Sequence, residues 1–239
     1  MDILHQNKDY VIIIKPVGIE SEQDCPALLT QQLGGSFFPL HRLDKNVSGV
    51  MVYARNKEAA ALLSRCIQEG KMIKEYVAWV HGLPEPQGEW IDLLYKDPRK
   101  NKVFVVNRKR NGVKEAKLSY QLLKTEENKS LVQVQLFTGR THQIRVQFAG
   151  IGCPVTGDDL YGTASVHIGR HALHSWQTCF PHPADGRRMA VTAPLHPDML
   201  ALLDAVSGER EAVLAAAERY CAGKSSLERK DDPHVEENL

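Results

Sequence analysis

The chain has 239 residues, 43% hydrophobic and 25% charged, which excludes a largely disordered chain, a collagen-like repeat and a disulfide-stapled miniprotein. Thirty Lys+Arg against 29 Asp+Glu leave a formal net charge of +1, so total charge does not announce a nucleic-acid binder. No apolar run approaches the ~18–20 residues needed to span a bilayer, no secretory signal is visible, and the five cysteines form no C-x-x-C pair, which implies a reducing, cytoplasmic setting.

In chain order, Tyr10–Ile14 reads as a β-branched strand closed by the turn Lys15-Pro16-Val17-Gly18. Pro26–Gln32 reads as a short helix and Gly49–Arg55 as a buried strand. Asn56 stands at an N-cap position before KEAAALLSRCIQEG, where Ala59, Leu62, Leu63, Cys66 and Ile67 recur at helical spacing and Gly70 is a terminator. Lys74–His81 is a further strand, followed by the breaker-rich GLPEPQGEW. Val103–Val106, Glu115–Thr125 and Leu131–Phe137 read as three more strands; in the last, Val132, Val134 and Leu136 alternate with Gln133 and Gln135, predicting one wet face. His142–Gly150 starts a helix, Ala172–Phe180 and Met189–Thr192 are strands, and Pro197–Val206 and Glu209–Ala222 are helices. The order predicts an α+β domain over residues 1–222 with a long mixed, mostly antiparallel sheet flanked by helices, then a frayed tail over 223–239.

Charge is unevenly placed. Between Lys96 and Lys117 nine basic residues face two acidic ones, a balance of +7, whereas from Glu209 onward eight acidic residues face five basic ones, a balance of −3. The basic stretch is either a solvated hairpin or a phosphate-tracking surface.

Three polar clusters interrupt the apolar strand pattern: His41-Arg42-Leu43-Asp44-Lys45-Asn46-Val47-Ser48-Gly49, Lys74-Glu75-Tyr76, and Thr138-Gly139-Arg140-Thr141-His142-Gln143-Ile144-Arg145. Singly, each reads as a polar turn or a core strand. As an ordered set they resemble the RluA-type family of RNA pseudouridine synthases. The Lys15-Pro16-Val17-Gly18 turn, Lys74-Glu75-Tyr76-Val77-Ala78, the stretch from Gly152-Cys153-Pro154-Val155 through Gly157-Asp158 to Tyr161-Gly162, and the late Leu173-His174 and Phe180-Pro181-His182-Pro183 extend the likeness. Val47 departs from the Thr usual in the family's first motif, and only about 14 residues precede the KPxG turn, too few for the small RNA-binding domain many members carry there.

The resemblance implies the pseudouridine synthase catalytic fold and isomerisation of uridine in structured ribosomal or transfer RNA. Such an isomerisation demands no cofactor and no metal. It implies Asp44 as the essential carboxylate, with attack on the ribose, attack on the base and abstraction of a ribose proton all open. Arg140 is implied as its guanidinium partner, Tyr76 as the aromatic against the target ring, and Arg42 as the residue filling the space of the flipped base. Ile144 is expected to line the pocket, and His41, His142, Gln143 and Arg145 to contact RNA or support those that do. A monomer is the default.

Two other readings stand beside this one. His167, His171 and His174 are spaced H-x3-H-x2-H, as metal ligands can be, yet no acidic residue lies among them and the strand beginning near Leu173 would turn His171 and His174 to opposite faces. Val47 leaves open a catalytically impaired RNA-binding protein of the same fold.

Overall fold

The computed structural model describes residues 1–207 and position 215, and within them the α+β architecture is as expected. Eleven strands of the described residues share one sheet. In chain order they are β1 (Asp2–Gln6), β2 (Tyr10–Lys15), β3 (Phe38–Pro39), β4 (Ser48–Ala54), β5 (Ile73–His81), β6 (Gln87–Asp97), β7 (Lys102–Val106), β8 (Val113–Glu126), β9 (Lys129–Leu136), β10 (Leu173–Pro181) and β11 (Arg188–Thr192). The spatial order is β1-β2-β4-β10-β5-β9-β8-β6-β7, with β3 beside β4 and β11 beside β10. All pairings are antiparallel except β4 with β10, which meet in parallel through His174 opposite Ser48 and Ser175 opposite Gly49. At that junction the backbones approach so closely that a Cβ on Gly49 would lie 2.1 Å from the Ser175 carbonyl oxygen, and φ there is +118°.

The helices are α1 (Asp24–Leu33), α2 (Lys57–Gln68), α3 (Gln143–Gly150) and α4 (Pro197–Ser207). None of the described helices is long and apolar enough to cross a membrane. Cys25 and Leu29 of α1 and Ile144 and Phe148 of α3 pack on one sheet face with Val11, Ile13, Tyr76 and Val134. Leu63 of α2 packs on the other face with Tyr10, Ile12, Val50 and Val52, and α4 covers the rest of that face through Met199 and Leu202 against Val77, Trp79 and Leu131. Successive residues of β2 therefore enter opposite cores, which is why its run is apolar throughout. The Asn56 side chain accepts from the Ala59 N–H at 2.7 Å and starts α2 where the sequence placed it.

Three expectations are corrected. Gln133 and Gln135 do not form a wet face: both are buried, because the face they share with Val77 and Trp79 is covered, and Gln133 Nε2 donates to Glu75 Oε2 at 3.1 Å. The breaker-rich segment runs straight into β6, an eleven-residue strand whose alternating exposed and half-buried positions hold Gly, Asp and Glu, residues that strands usually avoid. Gly88 in it makes room for the Tyr120 ring, 2.5 Å from where a Cβ would stand. A further strand, β1, pairs with β2 ahead of the first one expected. The helix expected over Glu209–Ala222 and the tail over 223–239 lie outside the described residues.

Candidate active site

The loop between β3 and β4 carries Asp44 and is fixed from several sides. The Lys15 ammonium is fully buried and donates all three protons to carbonyls, Pro16 at 2.8 Å, Ile19 at 2.7 Å and Lys45 at 2.9 Å. Burial still pushes its pKa down to about 8. The KPxG turn thus ties the exit of β2 to the Asp44 loop. On the far side Arg170 Nη1 donates to the Asn46 carbonyl at 3.2 Å, while Nε and Nη2 grip both oxygens of Asp198 on α4 at 2.8 Å. Ser21 Oγ donates to the Leu43 carbonyl at 3.0 Å, and the Val47 N–H donates to the Asp44 carbonyl at 2.9 Å.

Asp44 meets a guanidinium, but not the one expected. Arg145 Nη1 donates to Asp44 Oδ2 at 2.9 Å, and its Nε and Nη2 clasp Asp158 at 2.6 and 2.9 Å. Arg140 instead donates from Nε to the Glu115 carbonyl at 2.7 Å, at the rim of the cleft. The order along the chain explains the exchange: residue 140 lies in the loop before α3, whereas Arg145 is in the helix's first turn and faces inward. Burial opposes the charge of Arg145, but the hydrogen bonds and charges of Asp158 and Asp44 outweigh it and hold its pKa above the usual guanidinium range. For Asp158, too, burial opposes ionisation and Arg145 outweighs it, keeping the pKa below the usual carboxylate range. Arg145 is therefore a buried ion-pair partner of both carboxylates, and it lines the cleft beside them.

Gln143 is likewise occupied with its own loop. Its Oε1 accepts from Thr138 Oγ1 at 2.8 Å and from the Arg140 N–H at 3.0 Å, and its Nε2 donates to the Lys117 carbonyl at 3.1 Å, so it shapes the motif. His142 adopts a left-handed φ of +52° and sets its Nε2 3.8 Å from Asp44 Oδ2. Its Nδ1 lies 2.9 Å from the Tyr161 hydroxyl, which accepts from the Val103 N–H at 2.7 Å. When that hydroxyl donates to Nδ1, the ring proton sits on Nε2, facing Asp44. Burial holds the His142 pKa down, so the ring is neutral near pH 7.

These groups border a cleft of about 290 Å³ lined by His41, Arg42, Asp44, Tyr76, Arg140, His142, Gln143, Ile144 and Arg145 among others, so all nine expected site residues meet at one place. Tyr76 rises from β5 and Ile144 from α3, both almost fully buried, as an apolar wall facing the carboxylate. Burial and then the Asp44 charge push the Tyr76 pKa well above its ordinary value, so it remains a phenol, suited to ring contact and hydrogen bonding. Arg42 is half-exposed at the mouth and pairs with Glu22 at 2.7 Å, an exposed pair easily exchanged for another partner. The His41 ring accepts the Val52 N–H at 3.3 Å, and burial, then the Lys74 charge, drive its pKa to about 3. Val47 is buried in the core cluster with Leu43, Met51 and Tyr76, where an apolar side chain fits.

Asp158, Tyr161 and Arg170 belong to this arrangement and were not singled out as site residues. Asp158 and Tyr161 stand within the GD-x-x-YG stretch, which was the one signal available for them. Of the spaced histidines, His174 Nδ1 lies 2.8 Å from Ser48 Oγ within the β4–β10 junction, His171 is buried near Asp158, and His167 is exposed on a loop. A second recess, about 520 Å³, shares Asp44, His142 and Arg145 and is lined further by Arg42, Lys45, Lys96 and His171. On the other side Lys96, Lys114 and Arg140 line a shallow groove leading into the basic β6–β8 region. There Lys117 pairs with Glu89 at 2.8 Å and Arg110 stacks 4.7 Å from the centre of the Tyr95 ring, but the side chains of Arg99, Lys100, Arg108 and Lys109 are exposed and pair with no carboxylate among the described residues, the Asp97 carboxylate accepting only from the Arg99 and Lys100 backbone N–H groups.

Comparison with known proteins gives a consistent result. Residues 6–150 match the family described as RNA pseudouridylate synthase. The chain is 38% identical over 179 residues to the "uncharacterized RNA pseudouridine synthase" of Chloroflexus aurantiacus, covering 72% of this chain and 54% of that one. It is 34% identical over 228 residues to the ribosomal large subunit pseudouridine synthase D of Nitrosomonas europaea, covering 86% of this chain and 65% of that one. The chain thus spans less than two thirds of the length of these two relatives. Among solved structures, human RNA pseudouridylate synthase domain containing 4 superposes with a TM-score of 0.71 at 26% identity, covering 85% of this chain and 92% of that one.

Proposed function

The chain belongs to the RNA pseudouridylate synthase family, and we propose that it converts uridine to pseudouridine within a structured ribosomal or transfer RNA, acting as a cytoplasmic monomer with Asp44 as the catalytic carboxylate. The observation that carries this reading is the disposition of that carboxylate. Its Oδ2 is held by Arg145 at 2.9 Å, while Oδ1 has no hydrogen-bond partner among the described residues, and Asp44 lines a cleft walled by Tyr76 and Ile144. A fixed, half-open carboxylate beside an apolar slot is suited to work on a nucleoside lifted out of its stack.

The reaction breaks the bond from ribose C1′ to the uracil N1 and forms one from C1′ to C5; the proton on C5 is lost and N1 gains one. Asp44 acts at the sugar or at the ring, Tyr76 lies against the ring, and Arg42, released from Glu22, occupies the vacated stack. Extrusion of the base costs a few kcal/mol, offset by about 1–3 kcal/mol of stacking on the aromatic.

Asp44→Asn tests this directly. The Arg145–Asp158 clasp survives the change, so the fold and RNA affinity are expected to hold while pseudouridine formation is lost. Pseudouridine mapping of total RNA from cells with and without the gene identifies the substrate, and the purified variant is then assayed on it. Near-wild-type turnover by Asp44→Asn would overturn the assignment.

A further inference from the structure

The cleft contains a cation that no described residue neutralises. Lys74 and Tyr76 are two residues apart on β5 and share its face, so both side chains enter the cleft that holds Asp44. Lys74 is only 8% exposed, yet among the described residues its Nζ has no hydrogen bond and no ion pair. Lys15, the other buried lysine of the site, is held by three carbonyls. Around Lys74 stand Leu136, directly opposite on β9, Ile67, neutral His41 and Gly139, where a Cβ would lie 3.5 Å from Nζ. Glu75 points to the opposite sheet face and is bonded to Gln133, and Asp44 is engaged by Arg145. Burial alone lowers the Lys74 pKa, the mark of an under-solvated ammonium. Such a group is costly in the empty protein, and its setting suits a negative charge that arrives only with the reaction.

We propose that Lys74 contacts the substrate ring and stabilises the negative charge that uracil takes up as its bond to the ribose breaks. When the C1′–N1 bond cleaves, its electron pair goes to the ring, which becomes an anion spread over N1, O2 and O4. The electron deficiency at C1′ is met by Asp44 or by loss of a ribose proton. Attack of C5 on C1′ then returns the pair and loss of the C5 proton restores aromaticity, so Lys74 gives up no proton. Were Asp44 to add to the ring instead, the enolate oxygen would carry the same charge to the same ammonium. The charge is absent from the bound uridine, so the interaction lowers the barrier without tightening ground-state binding.

This inference rests on the activity proposed above, and single-turnover pseudouridine formation by wild type, Lys74→Met and Lys74→Arg on the mapped RNA tests it. Lys74→Met is expected to lose about 100-fold in rate constant, with RNA affinity within about threefold and an unaltered salt dependence. Its thermal midpoint is expected at or above that of wild type, since an unpaired buried charge is removed; Lys74→Arg is expected to recover part of the rate. A Lys74→Met rate within about threefold of wild type overturns the proposal. So does a loss confined to affinity with a shallower salt slope, which marks a backbone phosphate contact, and so does a rate loss that tracks a lowered midpoint. An inactive wild type would instead fail the activity reading itself, and this proposal with it.

Discussion

Arg140 and Arg145 stand five positions apart in one motif, and only Arg145 reaches Asp44. Arg145→Lys removes the fork that holds Asp158 by two bonds and Asp44 by a third, because an ammonium cannot span that geometry. The expected outcome is a fall of at least about 100-fold in single-turnover rate together with a lower thermal midpoint, since breaking a buried pair costs about 3–5 kcal/mol. Arg140→Lys, which disturbs one bond to a carbonyl at the cleft rim, is expected to stay within about tenfold of wild type. The reverse ranking would remove Arg145 from its place beside the carboxylate. The sequence pattern selected nine residues that line one cleft but could not rank two arginines in a single motif. Their roles turn on where α3 begins and on the left-handed backbone at His142, neither of which spacing encodes. Asp158 escaped selection for a related reason: a fully buried carboxylate clasped by a guanidinium looks, in sequence, like a turn residue before a helix or loop.

Elements were legible where local chemistry and packing agree. The Asn56 cap, the helical spacing after it and Gly70 fixed α2 to within two residues, and the β-branched run of β2 announced a strand, whose burial on both faces only the structure shows. Legibility failed where a distant element decides. The burial of Gln133 depends on α4, more than sixty residues away, and β6 exists because β7 and β8 flank it rather than through its own propensity. The basic β6–β8 region is the element whose function is most exposed to test. The Lys96–Lys117 balance of +7 stands on strands and turns that border the cleft rim through Lys96, Lys114 and Arg140. Replacing Arg108, Lys109 and Arg110 in the β7–β8 turn by Ser is expected to weaken RNA binding at low salt. It should also flatten the slope of log affinity against log salt by about two, at roughly 0.7–0.9 per phosphate contact, with the single-turnover rate at saturating RNA unchanged. An unaltered slope would make the segment a solvated hairpin.

The molecule as a whole stores its site among neutral imidazoles, and this sets how it responds to acid. Burial drives the pKa of His171 and His174 to about 4 and, with Lys74 adding repulsion, that of His41 to about 3, against 6.5 for an unperturbed ring. Below pH 6.5 the unfolded chain takes up these protons and the folded one does not, so stability falls as pH drops from about 6.5 toward 4. The loss ends only when the folded rings also protonate. Asp158 and Asp198, whose carboxylates are held down by arginines against the opposing pull of burial, act in the same direction once the pH falls into the range where unfolded carboxylates protonate. Urea unfolding between pH 7 and 4.5 is therefore expected to show two to three protons taken up on unfolding near pH 5. At about 1.4 kcal/mol per proton per pH unit, that is a slope of roughly 3–4 kcal/mol per unit. His174→Gln, which keeps a polar partner for Ser48, should remove about one of those protons. A flat stability profile across this range would mean that the rings are charged inside the fold and that the β4–β10 junction, where His174 meets Ser48, is open to water.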